Sequence, residues 1–316
     1  MRKFVIGLIA IVFLILVMDP KIIPTKVDAP LDISIEATVE RIARGDYLAN
    51  HVWVCMECHS QKNNQFYSDP VKPGTEGMGG LLFDSEFGQI YASNITPYEI
   101  DHWTDGELLL AITEGVNKNG DALFPFHPYT LYGKKDIEDV YSVIAYLRTL
   151  PSIQNDVPKR DTKLWANVLV RFMPKPATFI QKPDSSNTID HGKYLSGVCA
   201  RCHTPQINGK PDPDMFYAGG LDHPLSDTEI IRSSNLTPDM ETGIGNKNKE
   251  NFIGIFKAFD SEDSKMILIP KGARESNTPM AWTQFAGMTE NDLGAIYDYL
   301  RTLPPIKNRV EKYGVK

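Results

Sequence analysis

Cys55-Met56-Glu57-Cys58-His59 and Cys199-Ala200-Arg201-Cys202-His203 are two copies of the pattern C-x-x-C-H, and they contain all four cysteines of the chain. In this pattern the two thiols form thioethers with haem vinyl groups, and the adjacent histidine becomes the proximal ligand of the iron. A zinc site or a redox dithiol is the alternative for a bare C-x-x-C pair, but neither explains both trailing histidines. The sequence therefore predicts two covalently bound haem c groups. The predicted attachment residues are Cys55, Cys58, Cys199 and Cys202, and the predicted proximal ligands are His59 and His203.

The start of the chain has the form of an export signal, since Met1-Arg2-Lys3 precedes an apolar run of 15 residues from Phe4 to Met18. This run is shorter than the roughly 20 residues of a full membrane span. No A-x-A cleavage site follows it directly, which favours a retained anchor at residues 4–18 over a cleaved peptide. Because covalent haem attachment is extracytoplasmic, we expect residues 1–20 to be an anchor or signal segment. The rest of the chain is then expected in the periplasm.

Charge and motif content exclude several classes of protein. The formal net charge is −7, which gives no basic field for nucleic acid. The sequence contains no Rossmann fingerprint, P-loop, H-E-x-x-H pattern or serine nucleophile elbow. We therefore predict no nucleic-acid partner and no catalytic residues.

The chain contains an internal repeat. Residues 93–97 and 234–238 both read Ser-Asn-x-Thr-Pro, and residues 146–151 and 299–304 both read Tyr-Leu-Arg-Thr-Leu-Pro. Apolar residues at helical spacing predict a closing helix before each of these prolines. A C-x-x-C-H helix at one end and a closing helix at the other are typical of small cytochrome c domains. We predict an all-α fold of two tandem class I cytochrome c domains behind the N-terminal hydrophobic segment. The expected domains span residues 36–152 and 186–308, joined by a linker at residues 153–185.

The matched stretches also carry a family resemblance. Residues 44–48, 87–97, 103–105, 199–205 and 288–305, with the linker around residues 163–179, resemble the cytochrome c subunits of bacterial quinohaem and flavin dehydrogenases, such as alcohol or gluconate dehydrogenase. The resemblance implies a dihaem c-type cytochrome that is an electron carrier and not an enzyme. It would relay single electrons from a periplasmic or membrane dehydrogenase to a cytochrome or oxidase acceptor.

The second axial ligand of each iron must come from outside the C-x-x-C-H motifs. Met280 lies 20 residues before Leu300, where the family carries its Pro-Met ligand, although a core methionine is the alternative. His127 lies 20 residues before Leu147 and is thus the repeat equivalent of Met280. Family members usually read Pro-Ala-Met-Pro-Tyr here, so this chain departs from the family. The rival ligands in the first copy are His51, Met78 and His102.

This difference in ligands predicts that haem 1 has a lower potential than haem 2, because imidazole favours ferric iron more than a thioether does. A dihaem cytochrome c peroxidase is the alternative function, and it requires an open or releasable position at one iron. A haem-based sensor is a third interpretation, for which the sequence offers no signalling domain.

Two further features are open to a functional or a structural interpretation. Some loop residues of the matched stretches are candidates for hydrogen bonds to haem propionates: Tyr91, Asn94, Trp103 and Asn235. The segment from about Asp260 to Glu275 has no counterpart in the first copy. It is either a docking surface or a variable surface loop.

Overall fold

A computed structural model describes residues 30–270 and 277–316, together with Val5, Gly7, Ile9, Val12, Val27 and Asp28. The chain divides into two compact units. Unit 1 comprises Met1–Asp46 and Gly77–Gln181, and unit 2 comprises Tyr47–Glu76 and Lys182–Lys316. The first C-x-x-C-H motif, at Cys55–His59, is therefore part of unit 2, as is the second motif.

Unit 1 combines short helices with a small antiparallel sheet. Its strands are Leu82–Ser85 (β1), Gly88–Tyr91 (β2) and Asp161–Thr162 (β3), hydrogen-bonded in the order β1-β2-β3. Its helices are Val39–Tyr47, whose last residue belongs to unit 2, Pro97–Ile100, Asp105–Glu114, Tyr129–Tyr132, Ile137–Leu147 and Leu164–Val170. The closing helix Ile137–Leu147 begins after the N-cap Asp136 and confirms the predicted apolar stripe. Its buried residues include Val140, Val143, Ile144 and Leu147.

Unit 2 repeats this plan and adds elements to it. Its helices are Cys55–His59, Thr188–Leu195, Gly197–His203, Lys249–Lys257, Glu262–Lys265, Trp282–Phe285 and Glu290–Arg301, with a π-helical turn at Leu48–Val52 and a 3-10 turn at Pro213–Met215. One hairpin pairs Gln206–Ile207 (β4) with Lys210–Pro211 (β5). A second sheet has the order β6-β7-β8, from the strands Asp222–Pro224, Glu229–Arg232 and Tyr313–Val315.

In each copy an opening helix crosses the closing helix in backbone contact at a glycine. The two pairs are Val39–Tyr47 with Ile137–Leu147, and Thr188–Leu195 with Glu290–Arg301. In unit 1 a Cβ atom at Gly45 would overlap the carbonyl oxygen of Ser142, and in unit 2 a Cβ atom at Gly192 would overlap that of Ala295. Each crossing also carries an ion pair. Arg44 Nη2 lies 2.8 Å from Asp139 Oδ2, and His191 Nε2 lies 2.8 Å from Asp292 Oδ1. The opening and closing helices thus cross in the same way in both copies.

The prediction of an all-α fold is wrong. The structure is 37% helical and 10% strand, with three sheets in the described part of the chain. The prediction relied on the haem motifs and closing helices, and these strands are only two to four residues long, too short for alternation to be visible in the sequence. Gly88 begins β2 at a φ of 110°, a conformation that glycine tolerates.

The predicted N-terminal anchor lies mostly outside the described residues. Of residues 4–18, the structure describes Val5, Gly7, Ile9 and Val12. Among the described residues, no helix is both long and apolar enough to cross a membrane.

The Ser-Asn-x-Thr-Pro motifs hold the chain that follows each closing helix. Asn235 Nδ2 donates to the carbonyl oxygen of Ile306 at 2.8 Å, and Asn235 Oδ1 accepts from the N–H and hydroxyl of Thr237 at 2.9 and 2.8 Å. Asn94 makes the equivalent bonds to Ile153 and Thr96. Both asparagines are buried. Their amide groups bond within the fold, which favours the structural role over a hydrogen bond to a propionate.

Substitution Asn235→Ala is expected to destabilise the protein by about 2–4 kcal/mol, because it leaves buried partners on Thr237 and Ile306 without their hydrogen bonds. Guanidinium unfolding measures this loss. Asn246→Ala is the control, since Asn246 is exposed. Equal midpoints for the two variants would mean that Asn235 has no such role.

Candidate functional site

The second C-x-x-C-H motif lies on a short helix that presents its three reactive side chains together. Gly197–His203 is helical, so Cys199, Cys202 and His203, at positions i, i+3 and i+4, share one face. Cys199 is half-buried, Cys202 is exposed and His203 is 8% exposed. This helix therefore offers two thiols and one imidazole to the same neighbour.

The ring of His203 is oriented as an iron ligand requires. Its Nδ1 lies 2.7 Å from the carbonyl oxygen of Ser234, which can only accept, so Nδ1 carries the proton. Burial lowers the pKa of His203 to about 4, which keeps the imidazole neutral. A neutral histidine whose second nitrogen is fixed by a backbone carbonyl is the usual form of a metal-binding histidine. Nε2 of His203 thus retains a lone pair for iron, and the residues fit haem c.

The first motif repeats this arrangement after a local distortion. The helix Cys55–His59 gives Cys55, Cys58 and His59 the same i, i+3, i+4 spacing. The first copy is three residues longer between Leu48 and Cys55 than the second copy is between Leu195 and Cys199. Here the chain forms the π-helical turn Leu48–Val52, and Val54 then takes a left-handed φ of 48°. Burial raises the pKa of Cys55 to about 12 and that of Cys58 to about 11, so both thiols are neutral at pH 7.

The two motifs are near each other within unit 2. The charge of Arg201 lowers the pKa of the Cys58 thiol, and the ionised thiol of Cys202 raises it. The C-terminal ends of the two motif helices therefore lie within electrostatic range. The four cysteines form no disulfide. Within the described ranges, no three His, Cys, Asp or Glu side chains converge as ligands for a bare metal ion.

The loop that carries Met280 is held by a turn that follows the first motif. The hydroxyl of Ser68 donates to the carbonyl oxygen of Met280 and accepts from the N–H of Trp282 at 3.0 Å. The Ser68 N–H donates to Asn277 Oδ1 at 2.8 Å, and Asn277 Nδ2 donates to Asp69 Oδ1 at 2.9 Å. Ser68 and Asp69 both have positive φ. Sequence reasoning missed this turn, because no motif marks contacts between residues some 210 positions apart.

His127 lies in unit 1, in the loop that corresponds to the Met280 loop. Each residue precedes a four-residue helix by two positions, Tyr129–Tyr132 for His127 and Trp282–Phe285 for Met280. The His127 ring is parallel to Tyr129, with ring centroids 6.5 Å apart, and meets the edge of Tyr132 at 5.8 Å. Both His127 and Met280 are half-buried. His127 and Met280 thus occupy equivalent positions in the structure. That His127 binds the iron of the first haem stays a prediction.

The rival ligands have other surroundings. His51 Nδ1 lies 2.8 Å from the carbonyl oxygen of Gln284, and the His51 ring contacts Gly287 in unit 2. His102 is exposed, 4.0 Å from Glu99 Oε1. Met78 is half-buried, and its carbonyl oxygen accepts from Asn155 at 2.8 Å.

Part of the segment from about Asp260 to Glu275 pairs with the chain after the first motif. The Tyr67 N–H donates to the Ile267 carbonyl at 2.8 Å, and the Ile269 N–H donates to that of Gln65 at 3.0 Å. Residues 271–275 lie outside the described part. The described portion up to Pro270 thus contributes to unit 2 itself.

Comparison with known proteins gives a consistent picture. Residues 189–304 match the cytochrome c family. The chain is 28% identical over 282 residues to the cytochrome c subunit of the quinone alcohol dehydrogenase of Gluconacetobacter polyoxogenes, covering 84% of this chain and 56% of that protein. It is 27% identical over 279 residues to the gluconate 2-dehydrogenase cytochrome c subunit of Pantoea cypripedii, covering 83% of this chain and 59% of that protein. A diheme cytochrome c-type protein of Cereibacter sphaeroides is 26% identical over 219 residues, which are 60% of this chain and 72% of that protein. This chain therefore spans little more than half the length of the first two relatives.

Proposed function

We propose that this protein is a dihaem cytochrome c that relays single electrons. The chain has a cytochrome c domain at residues 189–304 and resembles the cytochrome c subunits of bacterial dehydrogenases. Its donor is a periplasmic or membrane dehydrogenase, and its acceptor is a downstream cytochrome or oxidase. The protein is a carrier and works outside the cytoplasm. The observation that carries the proposal is the neutral His203, held by Ser234 on a helix that also presents Cys199 and Cys202.

Each haem would be held by one C-x-x-C-H motif and one residue from a distant loop. The thioethers form at Cys55 and Cys58 in the first site and at Cys199 and Cys202 in the second. His59 and His203 are the proximal ligands. His127 and Met280 are the distal ligands. Bound haem supplies reversible one-electron chemistry, and the side chains orient it and set its potential.

The distal residues determine which of the two haem sites has the higher reduction potential. His127 gives the first site the lower potential, because imidazole stabilises ferric iron, and Met280 gives the second site the higher one. Electrons then move downhill from the first site to the second. The electrostatic influence of Arg201 and Cys202 on the Cys58 thiol, within unit 2, supports direct transfer between the two sites.

The function is tested by counting haem and measuring reactivity in the same preparation. We expect about two c-type haems per chain in the pyridine haemochrome assay, reversible one-electron reduction of each, and no turnover of hydrogen peroxide, since His127 and Met280 close both irons. Peroxide turnover at an enzymatic rate would support the peroxidase alternative, which the comparisons do not favour.

The turn at Ser68 makes a specific prediction about the second site. Substitution Ser68→Ala is expected to weaken the bond between Met280 and iron, because the Met280 carbonyl and the Trp282 N–H lose the Ser68 hydroxyl and keep only the hydrogen bond to each other, at a cost of about 0.5–1.5 kcal/mol. The near-infrared charge-transfer band of methionine-ligated ferric haem should then disappear at a lower guanidinium concentration.

The control for this experiment is Ser185→Ala, since Ser185 is exposed. An unchanged band in Ser68→Ala, together with an unchanged unfolding midpoint, would show that the Ser68 turn does not position Met280.

A further inference from the structure

The helix Leu164–Val170 in unit 1 is apolar on both faces, although only one of them is covered. Its sequence is Leu-Trp-Ala-Asn-Val-Leu-Val. Ala166 and Val170, one turn apart, are 2% and 1% exposed and pack with Ala122 and Phe124. This inward face attaches the helix firmly to the unit.

The outward face and the residues after it expose large apolar side chains. Leu164, Leu169 and Phe172 are 52%, 54% and 56% exposed. The chain continues with further exposed residues of the same kind: Met173, Phe179 and Ile180. Trp165 lies against Phe87 at 5.6 Å between ring centroids and is still 44% exposed. Large exposed apolar side chains concentrated in one segment mark a contact with a protein or a membrane.

The charge around this patch has the opposite sign to that of the whole chain. Residues 159–181 contain five basic residues and one acidic residue, a net charge of +4. The whole chain carries −7, so the remaining residues carry −11. The basic residues flank the helix Leu164–Val170, three before it and two after it: Lys159, Arg160, Lys163, Arg171 and Lys175. Lys163 and Lys175 are exposed beside the patch.

We propose that residues 163–180 bind the surface of an anionic phospholipid bilayer. Basic side chains interspersed with Trp, Phe and Leu are suited to this boundary, because the rings and leucines enter the headgroup region while the cations face phosphate groups. The short helix lies in the plane of the surface and does not cross it. A protein partner would account for the apolar area, but a patch of this charge on an otherwise acidic chain complements a uniformly negative lipid surface.

The segment attaches the protein to the membrane independently of residues 4–18. The two attachments are separable, since the inference rests on unit 1 side chains and not on the N-terminal run. It also stands apart from the electron-relay proposal, because none of the proposed haem ligands lies within residues 163–180.

Photolabelling of the full-length, haem-loaded protein tests this inference. The protein is mixed with vesicles of phosphatidylglycerol and phosphatidylcholine that contain a trace of a diazirine phospholipid, irradiated, digested and analysed by mass spectrometry. We expect adducts on residues 164–180. In vesicles of phosphatidylcholine alone, we expect at least about fivefold less labelling of these residues.

The variant Leu164→Ser/Leu169→Ser/Phe172→Ser is expected to lose most of this labelling while retaining the native haem spectrum. The matched control is Ile207→Ser/Phe216→Ser/Met240→Ser, which removes three exposed apolar residues from unit 2 and should leave the labelling unchanged. If the wild-type protein floats with the vesicles but carries adducts only outside residues 163–180, or does not float, the inference is wrong. In either case the haem titration is unaffected and the proposed function stands on its own test.

Discussion

Replacement of Gly192 by alanine is expected to destabilise the protein by about 3 kcal/mol or more, the upper end of what overpacking costs. The reason is geometric. The helices Thr188–Leu195 and Glu290–Arg301 touch through their backbones, and the new methyl group would occupy the position of the Ala295 carbonyl oxygen. A rigid backbone cannot move aside as a flexible side chain can. The helices must separate, which also weakens the ion pair of His191 with Asp292.

Thermal or guanidinium unfolding of Gly192→Ala measures this effect, and Gly254→Ala is the matched control. Gly254 is also helical, but a Cβ atom there would meet nothing within 4 Å. Its replacement should stabilise the protein by about 0.5–1 kcal/mol through helix propensity alone. If both variants have the same stability, the backbone contact at Gly192 is not real.

Replacement of His203 by alanine is expected to have the second large effect, the loss of one haem site. The variant removes the proximal nitrogen that Ser234 orients and leaves that carbonyl without its partner. We expect the haem content to fall from about two to about one per chain in the pyridine haemochrome assay, or the second haem to become high-spin. Either change removes about half of the low-spin signal.

His102→Ala is the control for this loss, because His102 is exposed and was a rival ligand. It should retain both haems and the native spectrum. Two low-spin haems in the His203→Ala variant would contradict the assignment of His203 as a proximal ligand.

Sequence reasoning found the features that depend on local spacing. The C-x-x-C-H motifs lie on helices as expected, because the positions i, i+3 and i+4 meet on one face only in a helix. The closing helices were predictable from apolar periodicity and the repeat. The alignment also identified Met280 and His127 as equivalent positions, and both loops precede a four-residue helix.

Features that depend on contacts between residues far apart in the chain could not be predicted from local spacing. Strands such as Asp161–Thr162 and Tyr313–Val315 exist because a hairpin far along the chain pairs with them, not because two or three residues have a strand pattern. The grouping of residues 47–76 with unit 2 arises from bonds such as those of Ser68 to Met280 and Trp282. A repeat predicts what the copies share, and this contact joins a residue of the first copy to residues of the second.

A spectroelectrochemical titration of the native protein and His127→Met tests the central claim most directly. Two low-spin one-electron steps are predicted. In the variant, the lower step should rise by on the order of 0.1 V, a fraction of the roughly 0.8 V over which axial ligands move haem potentials. The higher step, assigned to the Met280 site, should stay where it is. A high-spin haem whose potential is indifferent to the substitution would mean an open iron at the first site, and it would contradict the relay.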